Sequence, residues 1–95
     1  MAVSRAERMS KRRPRVVALF GDAAAGPVLD LLELTELAWH DCYGEITPSE
    51  QIVDDILLCS GGEIAKLIQV ARLAVTDWRD LSLLAEQLRT TPNPT

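Results

Sequence analysis

Side chains that bind metals or carry redox chemistry are scarce in this chain of 95 residues, which has one histidine, His40, and two cysteines, Cys42 and Cys59. Two cysteines cannot build the disulfide framework on which small secreted domains rely. Both fall in apolar helical settings and read as small buried hydrophobes. A single histidine excludes the carboxylate-bridged di-iron bundle, which takes a Glu-x-x-His pair from each of two helices. His40 and Cys42 stand two positions apart, about 200° around a helix, so they do not face one ion. No metal or cofactor is expected, and His40 reads as a surface histidine near a helix C-terminus. A Gly-rich phosphate loop, a nucleophile elbow and a Cys/His dyad are all missing, and paired carboxylates for acid–base work have no indicated pocket. The expectation is therefore a protein that is not an enzyme.

Long apolar runs are lacking too. None approaches the ~20 residues of a membrane-spanning helix. The cluster Lys11-Arg12-Arg13-Pro14-Arg15 ahead of apolar residues 16–20 has the look of an export signal, but Gly21 and Asp22 break that stretch well short of the roughly 7–15 residues required. A cytoplasmic protein without membrane contact is expected. Aromatics are limited to Phe20, Trp39, Tyr43 and Trp78, yet 47% of the chain is hydrophobic. A small single domain has much surface and little interior, so part of this apolar area is expected to meet another chain.

Positive charge is nearly absent beyond residue 15, and this imbalance is the chain's most informative feature. Residues 1–15 hold Arg5, Arg8, Lys11, Arg12, Arg13 and Arg15 against one acid, Glu7; the remainder holds four bases, Lys66, Arg72, Arg79 and Arg89, against thirteen acids. The formal net charge of −4 thus divides into a basic segment and a strongly acidic body, which exclude and recruit opposite partners. Residues 1–15 read as a disordered basic arm: charged, with no apolar period and Pro14 as a stop. Residues 90–95 read as a frayed tail.

Residues 16–89 read as an all-α domain of three antiparallel helices, placed at about 27–43, 48–59 and 61–89. Pro27 suits a first helical turn and Gly44 a left-handed cap. Val28, Leu31, Leu32, Thr35, Ala38, Trp39 and Cys42 form the buried stripe of the first helix. Thr47-Pro48-Ser49-Glu50 has the form of a capping box with Thr47 as the cap, and Ser60-Gly61-Gly62-Glu63 repeats that form with Ser60. Asp54 and Asp55 fall on the wet face of the second helix. In the third helix Ile64, Leu67, Ala71, Ala74, Trp78, Leu81, Ala85 and Leu88 step by 3 and 4 without a miss, a coiled-coil-like seam. At ~1.5 Å per residue that helix would reach ~40 Å, beyond what the second helix can cover. A continuous helix dimerising through Ala74, Trp78, Leu81, Ala85 and Leu88 is favoured; the alternative is a break at Thr76 and Asp77, the capping residues available there.

The function expected is a non-enzymatic acidic interaction module that docks a basic partner, like immunity proteins or antitoxins by class only. Its surface is expected to use Asp30, Glu33, Glu36, Asp54 and Asp55, with Trp39 and Tyr43 as the apolar anchor, and the arm is expected to be dispensable for docking. The alternative is a small dimeric nucleic-acid-associated regulator whose Arg5, Arg8, Lys11, Arg12, Arg13 and Arg15 lie on phosphates. A helix-turn-helix at Gly61-Gly62 is disfavoured by Glu50, Asp54 and Asp55 beside it.

Overall fold

Five helices follow one another in the computed structural model, which describes residues 4–90. They are α1 (Arg5–Phe20), α2 (Asp22–Tyr43), α3 (Glu50–Ser60), α4 (Ile64–Thr76) and α5 (Trp78–Thr90), and no strand occurs among the described residues. The all-α class stands, while the count of three helices is corrected at both ends of the chain. Residues 1–3 of the expected arm and 91–95 of the expected tail lie outside the described residues.

The first correction is the arm. From Arg5 onward it is helical, started by Ser4, whose hydroxyl accepts from the Glu7 amide at 3.2 Å. Only Arg12 and Val16 are buried on α1, so an apolar period is indeed missing. The period lies in the arginines instead: Arg5, Arg8, Arg12 and Arg15 recur at i, i+3, i+7 and i+10, which places them on one helical face. Pro14 sits inside the helix rather than ending it. Pro14 and Ser10, whose carbonyl loses its intrahelical donor, are both exposed, so solvent can serve that carbonyl.

Gly21 alone separates α1 from α2, at φ 88°, a conformation that suits glycine. Arg13 pairs with Asp22 beside this hinge and Arg5 with Glu33 far from it, so the two helices form an antiparallel hairpin. The helix expected from residue 27 begins at Asp22, because Ala23, Ala24 and Ala25 propagate helix well and Pro27 is accommodated inside it. Gly44 takes the expected left-handed cap at φ 75°.

The caps of the next helices differ from expectation. Ser49, not Thr47, caps α3 and accepts from the Ile52 amide at 3.3 Å, while Thr47 turns toward Glu36. Ser60 is the last residue of α3 and donates to the Leu57 carbonyl at 2.7 Å; α4 starts at Ile64, and Glu63 in the capping position makes no side-chain cap bond. The turn between them, Gly61 (φ 60°) and Gly62 (φ 80°), is pressed against the end of α1, where a Cβ on Gly62 would lie 2.6 Å from the Leu19 carbonyl oxygen. Gly62→Ala therefore meets both a clash and a strained backbone and should cost about 1–3 kcal/mol. Gly61→Ala, where an added Cβ meets nothing within 4 Å, should cost less. Paired urea melts of the two variants check the difference.

The favoured long third helix is also corrected. It breaks at Asp77 (φ −158°, ψ 87°), whose carboxylate accepts from the amides of Arg79 and Asp80 at 3.2 and 3.4 Å and so caps α5. Helix α5 folds back onto α3 and α4. One core then gathers Val28, Leu32 and Trp39 of α2, Ile52, Val53, Ile56 and Leu57 of α3, Leu67, Val70, Ala71 and Ala74 of α4, and Leu81 and Ala85 of α5. The alanines at 71, 74 and 85 let these helices approach closely. Of the residues assigned to a dimer seam, Ala74, Leu81 and Ala85 are thus buried within the chain, and Trp78 and Leu88 stay 39% and 50% exposed. The covering that a straight helix would demand from a second copy is supplied to α5 by α3 and α4 of its own chain.

Candidate functional site

The arginine face of α1 meets the acids of α2 and α3 in a continuous ladder. Arg12 is fully buried and Glu36 is 1% exposed. Arg12 Nη1 donates to Glu36 Oε2 at 2.7 Å and its Nη2 to Glu50 Oε2 at 2.8 Å. Arg8 grips the same Glu36 with two bonds of 2.8 and 3.0 Å, and the Thr47 hydroxyl donates to it at 2.9 Å. Arg15 continues the ladder to Glu50 at 3.0 Å and to Asp54; Arg5 closes its other end on Glu33 at 3.3 Å. One donor is left over, since Arg12 Nε–H is buried without an acceptor. Burial disfavours the ionised carboxyl of Glu36, but the hydrogen bonds from Arg8, Arg12 and Thr47 outweigh it and hold its pKa below the usual carboxylate range. Glu50 is lowered in the same way, burial being overcome by Arg12 and Arg15. The bond to Glu36 in turn raises Arg8.

This ladder changes the standing of the residues expected to bind partners. Glu36 is sealed inside, and Glu33 and Asp54 face arginines of their own chain. Asp55, expected on a wet face, is 2% exposed; it accepts from Arg89 at 2.7 Å and from Gln51 at 3.0 Å, because α5 covers α3 on that side. Asp30 is exposed. Of the expected phosphate contacts, Arg5, Arg8, Arg12, Arg13 and Arg15 all sit in ion pairs, while Lys11 is exposed and pairs with no acid among the described residues. Spacing of the arginines was the signal that could have located the ladder, and Glu50, read as a capping residue, was its missed member.

The second feature is a cavity of about 340 Å³ where the end of α2 and the starts of α3 and α5 meet, lined by Trp39, Tyr43, Glu45, Ser49, Gln51, Ile52, Trp78 and Ser82. Trp39 and Tyr43, one helical turn apart, are in ring contact, with centroids 4.4 Å apart and planes tilted by 55°. The Tyr43 hydroxyl donates to the Ala74 carbonyl at 2.9 Å, and Trp39 Nε1 donates to Glu45 Oε1 at 3.2 Å. The expected Trp39–Tyr43 pair therefore exists, but the acid beside it is Glu45 rather than Glu36. Trp78 and Ser82 join it only because the chain reverses at Asp77, which the unbroken seam concealed.

The remaining unusual side chains are separate from both features. His40 is exposed, with Nδ1 3.1 Å from the Glu45 carbonyl oxygen. Cys42 is exposed, against expectation, because it lies at the open end of α2; Cys59 is buried, and burial pushes its thiol pKa up. Among the described residues no three metal-ligating side chains gather, and no helix is long and apolar enough to cross a membrane. Comparison with family models, curated proteins and solved structures gave no match for this chain.

Proposed function

We propose that the chain is a non-enzymatic helical interaction module, acting in the cytoplasm, that docks a basic protein partner as immunity proteins and antitoxins do by class. The observation that carries this reading is the internal consumption of the basic segment. Every arginine of α1 lies in an ion pair with the chain's own carboxylates, so the positive charge of this face is matched within the chain even where Arg5, Arg13 and Arg15 reach solvent. Among the described residues the charges outside ion pairs are then predominantly acidic, Asp30, Asp41, Glu45, Glu63, Asp77, Asp80 and Glu86 among them, against Lys11, Lys66, Arg72 and Arg79. Such a field steers basic partners and repels polyanions. The half-exposed apolar side chains Leu34, Ile68, Leu83 and Leu88 support a second copy as a further partner, which sedimentation at micromolar concentration tests.

The discriminating experiment compares the intact chain on a heparin column and on an immobilised histone-type basic protein. We expect no retention on heparin at physiological ionic strength, and binding to the basic protein that slows as salt rises. Retention on heparin that is lost when Lys11 and Arg13 are changed to Glu would install the nucleic-acid regulator in place of this reading.

A further inference from the structure

We infer that the cavity between α2, α3 and α5 is a receptor for a single guanidinium, an arginine side chain presented by the basic partner. This rests on the proposed docking of a basic protein and names the residues that would take its anchor. At about 340 Å³ the cavity lies at the small end of ligand clefts, roughly 300–1,000 Å³, and suits one side chain rather than a folded element. Its lining holds Trp39, Tyr43 and Trp78, with Glu45 the only charged group among the described residues there; Trp39 is 4% exposed, so the aromatic surface open to a ligand is chiefly that of Trp78, 39% exposed. Aromatic faces attract cations electrostatically, and a planar guanidinium stacks on them better than a compact ammonium does.

The walls are held in place before any ligand arrives. Tyr43 is fixed by its bond to the Ala74 carbonyl, and the Trp39 indole by its bond to Glu45. That second bond does two things: it occupies Oε1 of Glu45 and orients the carboxylate on the cavity wall, where Oε2 has no bond to Trp39. A guanidinium entering against Trp78 would find an acceptor that its bond to Trp39 already orients, although Glu45 itself is exposed, which reduces the ordering left to binding. Trp78 already attracts a cation within its own chain, since the Arg79 guanidinium lies 5.6 Å from its ring centroid. The helix ends around the cavity nearly cancel. The carbonyl end of α2 favours a cation, whereas the starts of α3 and α5 oppose one. Glu45 therefore sets the sign of the lining; Asp77, whose carboxylate caps α5, and Asp80 add acid at the start of that helix, and the Arg79 guanidinium over Trp78 offsets part of it.

The chain has only two tryptophans, and both line the cavity, so their indole N–H signals in a proton–nitrogen spectrum report on it directly. The test titrates the full chain with three short capped peptides of Gly and one central residue: arginine, lysine or citrulline. Trp78→Phe assigns the two signals. The arginine peptide is expected to shift both indoles saturably, lysine more weakly, and citrulline, which keeps the shape without the charge, not at all. Glu45→Gln should weaken the arginine peptide about fivefold or more, with an unchanged circular dichroism spectrum. Equal shifts by citrulline would overturn the inference, as would an arginine peptide that moves only amides remote from the cavity; in that last case the basic-partner reading survives. If an oligo-arginine peptide moves no signal anywhere at low salt, both readings fall together.

Discussion

Glu36→Ala should destabilise the protein by roughly 3–5 kcal/mol, the amount lost when one member of a buried ion pair is removed. The reason is the position of Arg12, which is fully buried and would keep its charge after its nearest carboxylate had gone. Glu50 alone would remain to it, and Glu50 is more than half exposed. Arg8 and Thr47 would lose their bonds to this carboxylate in the same step. Replacing both partners with apolar residues of similar size, Arg12→Met with Glu36→Leu, should recover much of the loss, since a buried pair often only balances its own desolvation. The unpaired Nε–H of Arg12 points the same way. Urea melts of the single and double variants make the comparison; if Glu36→Ala melts with the parent, Arg12 is not sealed from water. Removing residues 1–15 takes away Arg8 and Arg12 together, strips Glu36 of its cations and uncovers the face of α2 on which α1 packs, so the arm is structural and its deletion is no neutral probe of docking.

The ladder also fixes the sign of the acid response. Glu36 and Glu50 both have folded pKa values below the ordinary carboxylate range. Their contribution is therefore present above the unfolded value and is lost as pH falls through the folded one. The protein should lose stability on acidification below the usual titration of glutamate. Glu36→Gln should flatten that limb of the profile.

The charge asymmetry was legible from composition, and its consequence was not. A basic segment beside an acidic body is equally consistent with an arm held out toward a polyanion and with one folded onto the body. What decides between them is the register of Arg5, Arg8, Arg12 and Arg15 against Glu33, Glu36, Glu50 and Asp54, acids that lie on two different helices. The first register was readable as a helical period. The second needed the packing of α2 on α3, which no local pattern contains. Trp39 and Tyr43 were legible as a pair because they share one helix. Glu45 follows a glycine cap and Trp78 follows a break, so their approach depends on chain reversals that a seam cannot register. The seam itself runs through Asp77 unbroken, because α4 and α5 press their own 3-4 stripes on the same core. A stripe that faces one core from two helices reads in sequence like one long helix.

Leu81 and Trp78 turn that ambiguity into a measurement. In a continuous helix that dimerises through its far half, Trp78 would be the large anchor and its loss the severe one. In the folded-back arrangement the order inverts: Leu81 is 0% exposed, while Trp78 is 39% exposed and lines an open cavity. Leu81→Ala should cost roughly 2–5 kcal/mol, the range for emptying a buried leucine site. Trp78→Ala should cost clearly less, because much of its ring already meets water. The Arg89–Asp55 pair, which ties the last turn of α5 to α3, gives an independent check. Arg89→Ala leaves the buried Asp55 with Gln51 as its remaining donor, and should destabilise the protein by loosening the same helix. Chemical melts of the three variants, each with its sedimentation profile, separate the alternatives. A larger loss for Trp78→Ala than for Leu81→Ala, accompanied by dissociation of a dimer, would restore the continuous helix; the reverse order, with no change in sedimentation, is the expected result.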